Sequence, residues 1–226
     1  MLFAPFLLVY LIIFFVALAF LFFMVEIHVI SHVFQAIGLP PELAFLALLV
    51  SLLGSYVNIP VGRIEGGRTH AAEIVSSFGV RYRVPIHLAG PATTVAINVG
   101  GAIVPVLISV YVMVSQPGVV WPAIIATAIV ALIVHRFARP VRGLGIATPM
   151  FIPPIVAALA GIFLAGGIHH YAGPIAYISG VMGTLLGADL TNIRRIRDLG
   201  APVASIGGAG TFDGIFLTGI VAVLLA

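Results

Sequence analysis

Long apolar runs, interrupted by Pro, Gly and clusters of Arg, dominate the chain. A helix needs about 20 largely apolar residues to cross a bilayer, and hydropathy with the breaker residues predicts seven spans. The first is Leu2–Val25, with a helical extension through Glu26, His28 and His32 to Ile37, where Gly38-Leu39-Pro40-Pro41 stops it. The others are Glu42–Tyr56, Ile86–Val114, Val119–His135, Pro149–Leu164, Tyr171–Leu190 and Thr211–Ala226. The fold class expected is all-α, a polytopic bundle of about seven helices forming one integral membrane domain.

Two stretches break the helical pattern. Val61–Pro85 contains Gly66-Gly67 and the alternating Arg81-Tyr82-Arg83-Val84, which predicts a small cytoplasmic β-hairpin inserted at about 61–85. Ala201–Gly210 is too apolar for a solvated loop and too rich in Gly for a stable helix. It reads as a segment re-entering the membrane, where protein or water must satisfy its backbone.

Composition agrees with this class. Of 226 residues, 62% are apolar and 8% charged, against about 25% charged in a soluble domain. There is no Cys, so disulfides and thiolate metal sites are excluded. The net charge of +3 is no nucleic-acid signature, because the ten basic residues, all Arg, are spread over three loops and form no phosphate-neutralising stripe. Those loops share one parity. Arg63, Arg68, Arg81 and Arg83 follow the second span, Arg136, Arg139 and Arg142 the fourth, and Arg194, Arg195 and Arg197 the sixth. The positive-inside rule puts these loops in the cytoplasm, the N-terminus inside and the C-terminus outside a plasma membrane. The first run lacks a basic n-region and a small-residue cleavage site, and reads as a retained span.

Ionisable groups are costly in hydrocarbon, about 2.5–3.5 kcal/mol on insertion scales, so the few present mark candidate chemistry. Asp189 closes the sixth span and Asp213 opens the seventh, both at the cytoplasmic edge of adjacent antiparallel helices. Gly180, Gly183, Gly187 and Gly214 allow those helices to approach closely. Two neighbouring carboxylates share a proton. The ionised one can then deprotonate water while the protonated one polarises a carbonyl, which is the equipment of aspartyl peptide hydrolysis.

Gly210-Thr211-Phe212-Asp213, with Asp189 late in the preceding inward-running span, resembles the intramembrane aspartyl proteases of the presenilin and signal-peptide-peptidase type. The resemblance covers about a fifth of the chain. It implies a catalytic pair, Asp189 and Asp213, with Gly210, Thr211 and Gly214 as the backbone around it. Phe212 stands where that motif has Gly, and Ala188 where Tyr usually precedes the first Asp. The same residues also have an architectural reading, with Thr211 as helix cap, Asp213 in a first helical turn and Asp189 paired with Arg194 or Arg195.

His28 and His32, at i and i+4, share a helix face with the spacing of two zinc ligands. Val29 stands where a His-Glu-x-x-His motif has its general base, so a hydrolytic metal site is disfavoured. A divalent-cation site with His169 or His170 is the alternative to plain interfacial histidines. The third span carries Pro91, Asn98, Gly100, Gly101 and Pro105, which predict a broken helix, with Asn98 lining a groove or serving as packing glue.

Over the whole chain, Gly54-Ser55-Tyr56-Val57-Asn58-Ile59-Pro60, Asn98–Ala102, Arg139-Pro140 through Ile146 and Gly207–Gly214 resemble a prokaryotic family of multi-pass membrane proteins of unknown function. That resemblance implies a membrane fold and carries no activity. The leading expectation is an intramembrane aspartyl protease-like protein that needs no cofactor. Its partners would be the bilayer and hydrophobic peptide or transmembrane segments, with no nucleic acid. The alternatives are a small proton- or cation-coupled transporter or channel, and a noncatalytic membrane scaffold.

Overall fold

The structure is a computed structural model that describes residues 4–65, 75–77, 80–82, 92–141, 145–198, 202–208 and 214–226. It is mostly helical with small sheets. The helices are α1 (Ala4–Ala36), α2 (Pro41–Gly54), α3 (Val104–Ser115), α4 (Val120–Phe137), α5 (Ile152–Leu164), α6 (His169–Thr184) and α7 (Gly214–Leu225). The strands are β1 (Asn58–Glu65), β2 (Val75–Ser77), β3 (Val80–Tyr82), β4 (Ala92–Asn98), β5 (Arg139–Val141), β6 (Gly145–Ala147) and β7 (Val203–Ile206).

Breaker residues set many helix ends. Proline opens α2, α3 and α5, where its missing N–H costs no helical hydrogen bond. Gly38, with φ +83°, ends the turn after α1 in a conformation that favours glycine. Pro117–Val119 forms a 3-10 turn that leads into α4.

Among the residues so tested, one helix is long and apolar enough to cross a membrane. It is Pro117–Phe137, with 21 residues and mean hydropathy 2.3. The expected count of seven such spans is therefore not reproduced. Helices α2, α5 and α7 have 14, 13 and 12 residues, about 18–21 Å at 1.5 Å per residue.

The third expected span, Ile86–Val114, is corrected most. Its helix begins only after Asn98, because Ala92–Asn98 is strand β4. Val99–Ile103 then makes a wider π-helical turn that leads into α3. Strand β4 is the centre of a three-stranded sheet ordered β1-β4-β7. It runs antiparallel to β1, from Asn58↔Asn98 to Glu65↔Ala92, with a bulge between Pro60 and Gly62. Pro60 has no N–H to donate, and an edge strand tolerates that defect. On the other side β4 is parallel to β7, Thr94↔Val203 through Ile97↔Ile206. The Gly-rich segment read as re-entrant thus contains a strand, whose inner edge pairs with β4.

The expected hairpin at 61–85 is also redrawn. β2 and β3 do pair as a short antiparallel ladder, but β1 leaves that region to pair with β4. The sheet joins the C-terminal end of α2 to the N-terminal end of α3 through β1 and β4.

Helix α6 is buried along most of its length and packs against α3, α4, α5 and α7. Small residues make this possible. A β-carbon at Gly183 would lie 2.6 Å from Val130 of α4, and one at Gly161 of α5 would lie 2.6 Å from the Ala172 carbonyl oxygen. One at Gly219 of α7 would lie 2.7 Å from Val181. The main core gathers Phe34, Ile37, Ile108, Tyr177, Phe216 and Ile220 around this centre, with Phe34 and Phe216 edge to face at 6.5 Å.

Candidate functional site

The α6–α7 pair is the frame for the expected carboxylate site. Gly180 lies against Thr218, Gly173 against Val223, and Gly219 against Tyr177 and Val181. As numbers rise on α6 they fall on α7, so the two helices are antiparallel. Asp189 is partly buried at the end of a π-helical turn, Leu185–Asp189, that continues α6, and it has an interaction partner. Gly214 is the exposed first residue of α7. Asp213, Thr211 and Gly210 lie outside the described residues.

A cavity of about 160 Å³ opens beside Gly214. Thr148, Met150, Pro153, Pro154, Gly214 and Leu217 are among its lining residues, so it sits where α5 and α7 begin. At about 30 Å³ per water it has room for several waters or one large apolar side chain.

Just beyond Asp189 a polar knot ties α6 to α4. The Thr191 hydroxyl donates to the Gly187 carbonyl at 2.8 Å. His135 Nδ1 lies 2.8 Å from Thr191 Oγ1. The Asn192 amide nitrogen also lies 3.5 Å from His135 Nδ1. The Asn192 amide donates to the carbonyls of Gly187 and Ala188 at 3.1 and 2.9 Å. Its Oδ1 is buried and has no hydrogen-bond partner among the described residues.

Asn98 organises a second polar junction, at the end of β4. It is 1% exposed. Its Oδ1 accepts from the Gly101 N–H at 2.7 Å, capping the broken helix. Its Nδ2 donates to the Ser55 carbonyl at 2.7 Å and to Asn58 Oδ1 at 3.2 Å. Ser205 Oγ lies 2.5 Å from that same Asn58 oxygen. Asn98 therefore does not line the cavity beside Gly214. It joins α2, β1, the sheet and α3.

Read from the sequence, Asn58 is a cap or turn residue and His135 an ordinary residue of the inner interface, and Ser205, Thr191 and Asn192 are not singled out. One signal was present. Val95-Ala96-Ile97-Asn98-Val99-Gly100-Gly101-Ala102 and Val203-Ala204-Ser205-Ile206-Gly207-Gly208-Ala209 share a Val-Ala start and a Gly-Gly-Ala end. These are the two parallel strands and the turns that follow them.

His28 and His32 are exposed on α1. His169 and His170 open α6, and His170 stacks edge-on against Tyr171 with ring centroids 4.5 Å apart. Among the described residues no group of three or more His, Asp or Glu gathers as a metal site. The expected addition of His169 or His170 to the His28–His32 pair is thus not made.

No curated protein and no solved structure matches the chain. The comparisons therefore lend no support to the presenilin-type resemblance. The model of one family, described as "Protein of unknown function (DUF1614)", matches residues 52–225, which include all four segments behind the broader resemblance. The chain belongs to the DUF1614 family.

Proposed function

We propose that this is an integral membrane protein whose α6–α7 pair carries a paired-carboxylate hydrolytic site of the aspartyl-protease type, acting on hydrophobic helices. The membrane part rests on an apolar perimeter around a core that holds polar groups. Phe163, Trp121 and Leu132 are 77%, 74% and 73% exposed, while Ser51, Asn98, Ser109, Ser179 and Asn192 are buried. A protein in water exposes single hydrophobic residues, whereas many large exposed apolar side chains mark a membrane or protein contact. By the span boundaries read from the sequence, all ten basic residues lie between spans on one side, and in this reading that side is the cytoplasm.

One observation carries the catalytic part. The antiparallel, glycine-mediated contact of α6 with α7 brings the C-terminal end of α6 and the N-terminal end of α7 to the same end of the pair. Asp189 closes the turn that continues α6, and Asp213 precedes Gly214 in the sequence. The adjoining cavity beside Gly214 supplies an apolar approach for a peptide.

In this reading one carboxylate is ionised and takes a proton from water, whose oxygen attacks the scissile carbonyl carbon. The other is protonated and donates to the carbonyl oxygen as the tetrahedral intermediate forms. The first carboxylic acid then protonates the departing amide nitrogen, and as the C–N bond breaks a hydroxyl of the tetrahedral intermediate returns its proton to the second carboxylate, which regenerates the pair.

The test uses the full chain in proteoliposomes with a labelled model transmembrane peptide. Wild type is expected to cleave it, and Asp189→Asn or Asp213→Asn to lose activity by about a thousandfold. Undiminished cleavage by either variant, or none by wild type, removes the protease reading.

A further inference from the structure

Leu190–Asp198 is a nine-residue 3-10 helix, Leu-Thr-Asn-Ile-Arg-Arg-Ile-Arg-Asp. At three residues per turn, positions i, i+3 and i+6 fall in one row. Leu190, Ile193 and Ile196 therefore form an apolar row, flanked by rows that hold the three arginine positions. Ile193 packs against the sheet core of Val95, Ala102 and Ile206, so the row seats the segment on the protein and leaves Leu190 at its exposed end.

It packs against β1, β4, β5 and β6. The His135–Thr191 hydrogen bond also fastens it to the last turn of α4. Arginines from separate parts of the chain thus lie on elements that meet around this segment. They are Arg63 on β1, Arg136 at the end of α4, Arg139 on β5 and Arg195 on the 3-10 helix, and all four are exposed. Among the described residues none of the four is paired with a carboxylate. Asp189, at the head of the segment, already has a partner.

Several exposed guanidinium groups at an interface make a receptor for phosphate, because the planar fork binds two phosphate oxygens at once. We propose that this face binds the phosphate headgroup of an anionic phospholipid. Arg136, Arg139 and Arg195 would hold the phosphate, and Leu190, which is 41% exposed, would lie beside the acyl chains. The proposal rests on the membrane reading above and is independent of the carboxylate chemistry.

The test is lipid titration of the detergent-solubilised full chain, with bound lipids counted by native mass spectrometry. The probes are dioleoylphosphatidylglycerol and dioleoylphosphatidylcholine. Each arginine near an anionic headgroup is worth about fivefold in affinity. Wild type should therefore prefer the glycerol lipid by at least about tenfold at low salt. The triple variant Arg136→Gln/Arg139→Gln/Arg195→Gln should lose that preference while still binding the choline lipid.

Raising the salt should weaken the wild-type preference, a readout that needs no variant. Equal binding of both lipids by wild type, a preference unmoved by salt, or a preference intact in the triple variant overturns the proposal. So does displacement of the glycerol lipid by sub-millimolar inorganic phosphate, which would make free phosphate the ligand. Failure to bind either lipid would instead count against the membrane reading itself.

Discussion

A β-carbon placed on Gly100 would lie 1.9 Å from the carbonyl oxygen of Ser51 and 2.5 Å from the amide nitrogen of Ser55. The C-terminal turn of α2 thus rests directly on the backbone of the π-helical turn before α3, and no side chain fits between them. Both obstructing atoms are backbone, so no rotamer change relieves the clash. Gly100→Ala is expected to destabilise the protein by about 3 kcal/mol. Gly62→Ala, where a β-carbon meets nothing within 4 Å, should change stability by less than about 0.5 kcal/mol. Thermal unfolding of both variants in the same detergent checks the pair, and equal midpoints would contradict the packing.

Asn98 uses its two amide ends differently. The oxygen caps the broken helix at Gly101, and the nitrogen reaches across to Ser55 and Asn58. Asn98→Ala loses both and leaves buried groups unpaired, a cost of about 2–4 kcal/mol. Asn98→Asp keeps the cap but turns an acceptor toward the Ser55 carbonyl and Asn58 Oδ1. It should be nearly as damaging at neutral pH despite its identical shape. The midpoints of the two variants decide this, and a near-wild-type Asp variant would show that only the cap matters.

These residues also mark what was legible in the sequence. The breakers Gly38-Leu39-Pro40-Pro41 marked the boundary between α1 and α2, whereas α5 begins at Ile152, three residues after the expected Pro149. The β4 segment, Ala-Thr-Thr-Val-Ala-Ile-Asn, was absorbed into a helical span for a physical reason. Its burial does not alternate, because Val95 and Ala96 are both buried. A continuous apolar run of that kind does not distinguish a strand from a buried helix. Its parallel partner β7 comes much later in the chain, and such pairing leaves no local trace. Asp189 ends a π-helical turn that continues α6, whereas the Ser205–Asn58 contact needed the sheet register before it could be seen.

If Asp189 and Asp213 act as one unit, their effects will not add. Each Asn variant alone should abolish cleavage of a model peptide, and the double variant should be no slower than either single one. Two independently structural aspartates would instead give additive losses of stability with no change in residual rate. Rates and unfolding midpoints measured on all four proteins separate these outcomes. Gly219→Ala belongs in the same series. Its β-carbon would press on Val181 and the Tyr177 ring, pushing α7 off α6, and it should lower the rate without touching either carboxylate.

The last prediction turns on the solvent around α4. Ile125 lies near the middle of Pro117–Phe137 and is 50% exposed. In water, replacing a half-exposed Ile by Arg would be nearly neutral and would favour solubility. In a bilayer the same change puts a guanidinium near the centre of the hydrocarbon, at about 2.5–3.5 kcal/mol even on insertion scales. Ile125→Arg should therefore reduce the membrane-integrated fraction sharply, whereas Ile125→Leu should leave it unchanged. Arg136→Gln, at the far end of the same helix, removes a charge from the interface and should leave integration of α4 largely intact. Measured by carbonate extraction of membranes expressing each variant, an Ile125→Arg protein that stays soluble, folded and abundant would mean that α4 faces water. The apolar perimeter would then have to be covered by another protein surface.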